Sequence, residues 1–222
     1  MEDNEMDNKM FCFQCEQTAG CQACTGAQGV CGKKADTAKL QDELTGALIG
    51  LARATEGNEH LVNETTDKLI LEGLFSTITN VNFNNETLMT LIDRVELEKE
   101  RLVPKCFECA SACGRNDNFD MQSLWQADED IRSLKSLILF GIRGVAAYAY
   151  HAEVLGYADK EVNNFFYKAL FIIIITNNLK NATQRRFLYE KENNPFDIPD
   201  TAAGRRHSDR HLLGSHSGLA AH

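Results

Sequence analysis

Cysteine is the residue type whose placement most clearly implies chemistry in this chain. Eight cysteines occur, five between residues 12 and 31 and three between 106 and 113. Such grouping points to bound metal rather than to a disulfide framework, which a reducing compartment does not sustain. Cys12 and Cys15 form a C-x2-C pair. Cys24 follows after eight intervening residues and Cys31 after six more, with Cys21 as an additional candidate. Thiolates at C-x2-C spacing turn onto one metal centre without long-range folding, and two more complete a four-ligand shell. Gly20, Gly26, Gly29 and Gly32 lie among them. Glycine lets the backbone reach positive φ, pass close to sulfur and aim N–H groups at it. Four thiolates suit an iron–sulfur cluster or a structural zinc ion. The spread of the second pair differs from the two C-x2-C knuckles common at zinc and leans toward a cluster, but spacing alone leaves both open.

Other residues capable of chemistry have plainer explanations. Cys106, Cys109 and Cys113 read C-x2-C-x3-C. That is enough for a second metal centre completed by an external ligand or by Cys21, or for a set of reduced thiols buried in a loop. His151 falls on an apolar helix, where a packed, hydrogen-bonded imidazole is expected rather than a ligand. Asp128, Glu129 and Asp130 stand at a helix start, where the macrodipole favours carboxylates. Trp125 and Tyr148 read as packing residues. His207, His211, His216 and His222 crowd the C-terminal end, but their irregular spacing does not assemble a site. No residue is assigned as catalytic.

The elements that must position the cysteine loop are helical. Leu40, Leu44, Ala47, Leu48 and Leu51 mark one amphipathic helix, capped by Asp36 or Thr37. A second is expected from about Thr66 to Thr79 on Ile70, Leu71, Leu74, Phe75 and Ile78. A third runs from Asn85, as its cap, through Leu88, Leu91, Ile92 and Val95 to Arg101, with Pro104 helping to end it. Residues 106–125 read as loop. A helix from Asp128 presents Ile131, Leu134, Ile138, Ile142, Val145 and Ala149 as its buried stripe, with Gly141 and Gly144 explained by close helix–helix packing. A last helix from about Asp159 uses Val162, Phe165, Phe166, Ala169 and Leu170. No convincing strand precedes residue 171. The expected fold is mainly α, a helical bundle preceded by the cysteine-rich loop and followed by a disordered or aberrant tail. The expected divisions are a disordered extension (1–9), the metal-binding loop (10–33), the helical bundle (34–171) and an aperiodic tail (172–222). With no period of 3.6 or 2 after the run Phe171 to Ile175, the tail reads as truncated or non-native sequence.

A formal net charge of −9 disfavours loose binding to nucleic acid or to an anionic membrane. It permits docking to a basic redox partner. The polar, acidic start lacks the basic and apolar regions of a secretory signal, and no apolar run approaches the roughly 20 residues of a spanning helix. A cytoplasmic setting is the expectation.

The run Met10-Phe11-Cys12-Phe13-Gln14-Cys15-Glu16-Gln17-Thr18-Ala19, with Cys24-Thr25-Gly26 and Gly29-Val30-Cys31-Gly32-Lys33, resembles the opening of the hydroxylamine reductase (hybrid-cluster protein, prismane) family. Leu40-Gln41-Asp42, the stretch Leu74 to Asn82, Glu129 to Leu134, Gly144 to Ala149, His151-Ala152 and Val154-Leu155-Gly156 extend the resemblance over about residues 10–171. It implies that Cys12, Cys15, Cys24 and Cys31 ligate a proximal cluster, Cys24 taking third place over Cys21 because it precedes Thr25-Gly26. It implies a 4Fe–4S cluster, favoured by the eight-residue gap, with the 2Fe–2S type of some members as the alternative. It implies an oxidoreductase that reduces hydroxylamine to ammonia and water, nitric oxide reduction also being associated with the family. A redox donor would supply electrons through the proximal cluster. The family's catalytic hybrid iron–sulfur–oxygen cluster takes a histidine, glutamates and cysteines from later domains. None of those ligands carries over, so this chain is expected to lack turnover by itself.

Other readings fit the same residues. One is an iron–sulfur electron-transfer module serving a separate catalytic chain. Another is a zinc-stabilised interaction domain without redox function. A relative of carbon monoxide dehydrogenase is a weaker enzyme alternative.

Overall fold

A computed structural model describes residues 9–103 and 117–175. Cys106, Cys109, Cys113, the four C-terminal histidines and residues 1–8 lie outside the described residues. Among the described residues six α-helices follow the cysteine loop: α1 (Ala35–Thr55), α2 (Glu64–Ser76), α3 (Asn85–Leu102), α4 (Met121–Trp125), α5 (Glu129–Val154) and α6 (Lys160–Ile175). No strand forms among the described residues, and the mainly α expectation holds. No helix among them is long and apolar enough to cross a membrane.

Side-chain caps set several helix starts. Asn63 precedes α2 and makes a reciprocal capping box with Thr66, which moves the helix start two residues ahead of the expected one. Asn84, not Asn85, caps α3 by accepting from the Thr87 N–H at 3.1 Å. Asn85 instead ties α3 to α1, donating to Asp36 Oδ2 at 2.9 Å and accepting from the Thr37 hydroxyl at 2.7 Å. Asp36 acts from within the first turn of α1, accepting from the Thr37 N–H at 2.8 Å, and Lys34 holds the cap position. Asp120 caps α4, a short helix in a stretch that reads as loop from sequence. Asp159 caps α6, accepting from Glu161 and Val162 N–H, and the helix starts next to it as expected.

Helix α1 runs through the centre, packed against α2, α3, α4 and α6. Leu44, Ala47, Leu48, Ile49, Leu51, Ala52 and Ala54 are all buried, so its second half is apolar nearly all round, as a surrounded helix must be. Helix α5 is turned from its expected orientation. Leu134 is 59% and Val145 39% exposed, whereas Lys135, Ser136, Leu139, Ile142, Arg143 and Ala146 face inward. Apolar periodicity misplaced this face because two cationic residues lie on it. Lys135 sits over the Phe119 ring, 5.3 Å from its centroid, and Arg143 donates to three acceptors. Tyr148 is 84% exposed rather than packed. His151 packs edge-on against the Phe75 ring at 5.6 Å but is exposed, where a packed, hydrogen-bonded imidazole was expected. Helix α6 continues through Ile175, four residues past the boundary drawn at Phe171. Ile173 follows Phe166 and Leu170 on the buried face, so burial outweighs the modest helix propensity of an isoleucine run.

Close backbone approach occurs at α1 rather than at the α5 glycines. A Cβ at Gly46 would lie 2.4 Å from the Phe119 carbonyl oxygen, and one at Gly50 2.9 Å from that of Asp117. The Phe119 N–H also donates to the Gly46 carbonyl at 3.0 Å. Cβ atoms at Gly141 or Gly144 would touch no described residue. Alanine in an open helical site gains about 1 kcal/mol over glycine, whereas a rigid backbone clash costs about 1–3 kcal/mol or more. Gly141→Ala is therefore expected to stabilise the protein and Gly46→Ala to destabilise it. Urea unfolding of the two variants reads the opposite signs directly.

Candidate functional site

The cysteine loop is built around a short backbone pairing. Cys12 and Cys24 face each other as an antiparallel bridge, Cys12 N–H to Cys24 carbonyl at 3.1 Å and Cys24 N–H to Cys12 carbonyl at 2.9 Å. Their side chains are buried with Met10 against Ala38 of α1. Cys15 and Cys31 are half-buried. A tight turn presents Cys31: the Gly32 N–H donates to the Gly29 carbonyl at 2.9 Å and the Gly29 N–H to the Lys33 carbonyl at 2.8 Å. Gly32 has φ +85°, a conformation that costs residues with a Cβ. Gly29 is needed for space, since a Cβ there would lie 3.3 Å from Met10 Cε and 3.4 Å from Cys31 Sγ.

Cys12, Cys15, Cys24 and Cys31 line one cavity, together with Thr18, Lys33 and Thr79. The four cysteines named from sequence are thus brought together. Among the described residues no three Cys, His, Asp or Glu side chains are arranged to hold a single ion. The four thiols around one cavity are a donor set whose chemistry suits iron.

Behind the thiols lies a polar scaffold that sequence reading did not pick out as functional. Lys33, 2% exposed, reaches Cys12 Sγ at 4.0 Å and donates to Gln14 Oε1 at 2.5 Å. The Gln14 amide nitrogen donates to Asp42 Oδ1 at 2.8 Å and to the Ala38 carbonyl at 2.9 Å, fixing the loop to α1. Arg143 of α5 is buried beneath. It donates to the Gln14 carbonyl at 3.1 Å, Thr45 Oγ1 at 3.1 Å and Thr77 Oγ1 at 3.0 Å, joining the loop to α1 and α2. An aromatic contact completes the anchoring, Phe13 meeting the buried Trp125 edge-on at 5.4 Å.

This scaffold sets the electrostatics. Burial pushes the Cys12 thiol pKa up, opposed by the Lys33 charge and by the Gln14 backbone N–H. Burial also raises the Asp42 carboxyl to about 6, opposed by Gln14, Arg143 and Lys33. Arg143 is shifted down by burial, with Asp42, Cys12 and Cys15 opposing the shift. Two cations thus stand close to four potential thiolates, which lowers the cost of gathering negative charge there. A sequence signal for Arg143 exists: it is the lone charged residue between Ser136 and Tyr150.

Residues 10–182 match the model of a family described as the Prismane/CO dehydrogenase family. Curated proteins named hydroxylamine reductase are similar to the chain. That of Methanocella arvoryzae is 42% identical over 184 residues, covering 72% of this chain and 34% of the relative. That of Clostridium novyi is 40% identical over 182 residues, 72% and 33%, and one of Porphyromonas gingivalis 37% over 183 residues, 74% and 33%. The chain spans about a third of the length of the curated relatives it matches.

Proposed function

The chain belongs to the Prismane/CO dehydrogenase family, and from that premise we propose that its cysteine loop holds an iron–sulfur cluster relaying electrons for hydroxylamine reduction. The observation that carries this reading is the convergence of Cys12, Cys15, Cys24 and Cys31 on one cavity that is backed by the cations Lys33 and Arg143. Cys12 and Cys24 are the inner ligands and Cys15 and Cys31 the outer ones, nearest solvent. The ligand spacing favours a 4Fe–4S cluster over 2Fe–2S. When bound, such a cluster accepts and releases electrons singly, at a potential set by its ligands, hydrogen bonds and exposure. The chain's own residues hold the thiolates in place, shield the inner pair from water and supply positive charge beside them.

In this reading the whole protein reduces hydroxylamine to ammonia and water. It takes electrons from a redox donor in the cytoplasm, and the 222-residue chain does not turn over by itself. The expectation is tested with the chain loaded with iron and sulfide under anaerobic conditions and supplied with reduced methyl viologen. Reversible one-electron reduction without ammonia above the protein-free level is the expected result. Sustained ammonia formation at the rate of a full-length relative overturns the relay reading.

A further inference from the structure

We propose that Lys33, held by Gln14 and Asp42, is a positioning residue that sets the reduction potential of the group bound by the four thiols, acting on it through Cys12. The inference rests on the iron–sulfur reading above.

Lys33 is almost wholly buried, and burying an ammonium is costly unless partners compensate it. Among the described residues no carboxylate is in contact with it. The Lys33 Nζ donates to Gln14 Oε1 at 2.5 Å and lies 4.0 Å from Cys12 Sγ. An ammonium has three N–H donors. Among the described residues Gln14 and Cys12 take two, and Lys33 also lines the thiol cavity. Gln14 is locked, since its amide nitrogen is engaged by Asp42 and Ala38, and its carbonyl oxygen is therefore the end that faces Lys33. The series Asp42, Gln14, Lys33, Cys12 is a charge arrangement with a rigid neutral spacer. The cation is next to the sulfur and the anion is one residue removed.

Reduction would add one electron, and so one negative charge, to the iron of the bound cluster, beside the thiolates that hold it. A cation beside Cys12 favours that state, and a carboxylate beyond Gln14 disfavours it. The two groups therefore act with opposite signs. Among the described residues the other charged group facing this network is Arg143 of α5. It is unchanged in every variant below.

The test is a redox titration, with dithionite as reductant at pH 8, of the reconstituted wild type, Lys33→Met, Lys33→Arg and Asp42→Asn. At that pH Asp42, titrating at about 6, is ionised. At a fixed poise Lys33→Met is expected to lower the reduced-to-oxidised ratio about tenfold, a shift of 59 mV for a one-electron couple. Lys33→Arg keeps the charge and stays close to wild type. Asp42→Asn keeps the acceptor oxygen for Gln14, removes the negative charge and raises the ratio. A purely structural role for Lys33 does not produce opposite signs from these two variants. Equal potentials in all four proteins, with iron bound, overturn the inference and leave the cluster reading standing. If Lys33→Met does not fold, Lys33→Gln, which keeps a polar end and removes the charge, takes its place, an unchanged or raised ratio refuting the proposal. Failure of the wild type itself to bind iron and sulfide overturns both readings.

Discussion

Cys24→Ser loses the iron–sulfur centre, whereas Cys21→Ser keeps it; this is the largest effect expected of any substitution in the chain. Cys24 is paired through its backbone to Cys12 and lines the cavity shared by Cys12, Cys15 and Cys31. Serine preserves the backbone pairing and nearly the volume, but a hydroxyl is a poor substitute for a thiolate on iron. Removing a supporting contact at a metal site costs roughly 10- to 100-fold in affinity, and loss of a ligand exceeds that. Retained iron after gel filtration should fall by at least about tenfold in Cys24→Ser. The absorbance of sulfide-to-iron charge transfer should vanish with it. The same measurement on Cys21→Ser decides the choice between the two cysteines. Retention by Cys24→Ser and loss by Cys21→Ser would move the third ligand to residue 21.

The second large effect is on stability. Arg143 is the buried tie between the cysteine loop, α1 and α2. Arg143→Met keeps the unbranched stem of the side chain and its apolar packing but removes all three donated hydrogen bonds. The Gln14 carbonyl then loses its partner, and Asp42 loses one of the two cations that oppose the rise in its pKa. Unsatisfied buried acceptors cost about 1–3 kcal/mol each, and stripping one member from a buried charge arrangement about 3–5 kcal/mol. Two of the acceptors are hydroxyls that can turn elsewhere, so a net loss of about 2–4 kcal/mol is expected. Urea unfolding of the metal-free protein measures it. A loss below about 0.5 kcal/mol, the scale of ordinary surface substitutions, would show that the Gln14 hydrogen bonds to α1 and the Phe13–Trp125 contact anchor the loop without Arg143.

The parts of this molecule that were legible in sequence are those governed by local rules. C-x2-C spacing and the flanking motif named the four cysteines that line the cavity. Period-3.6 patterns located α1, α2, α3, α5 and α6. The failures have a common physical cause, namely side chains whose position is decided by a distant partner. The inward face of α5 is set by Arg143 and Lys135, which an apolar stripe argument places outside. Gly46 and Gly50 look like ordinary helix residues until the segment 117–119 is laid against them. Gly141 and Gly144 invite the same explanation yet meet no described residue. The scaffold of Lys33, Gln14 and Asp42 joins residues 14, 33 and 42 through side-chain hydrogen bonds, a link with no periodic signature. Helix α4 is five residues long, too short for periodicity to show.

The central claim is that the four thiols hold an iron–sulfur cluster. Its most direct test is quantification of iron, acid-labile sulfide and zinc in anaerobically purified protein, with electron paramagnetic resonance of the dithionite-reduced sample. The account predicts a brown protein with iron and sulfide in equal amounts, about four of each per chain, and a paramagnetic signal on reduction. A colourless protein carrying one zinc and no sulfide would contradict it.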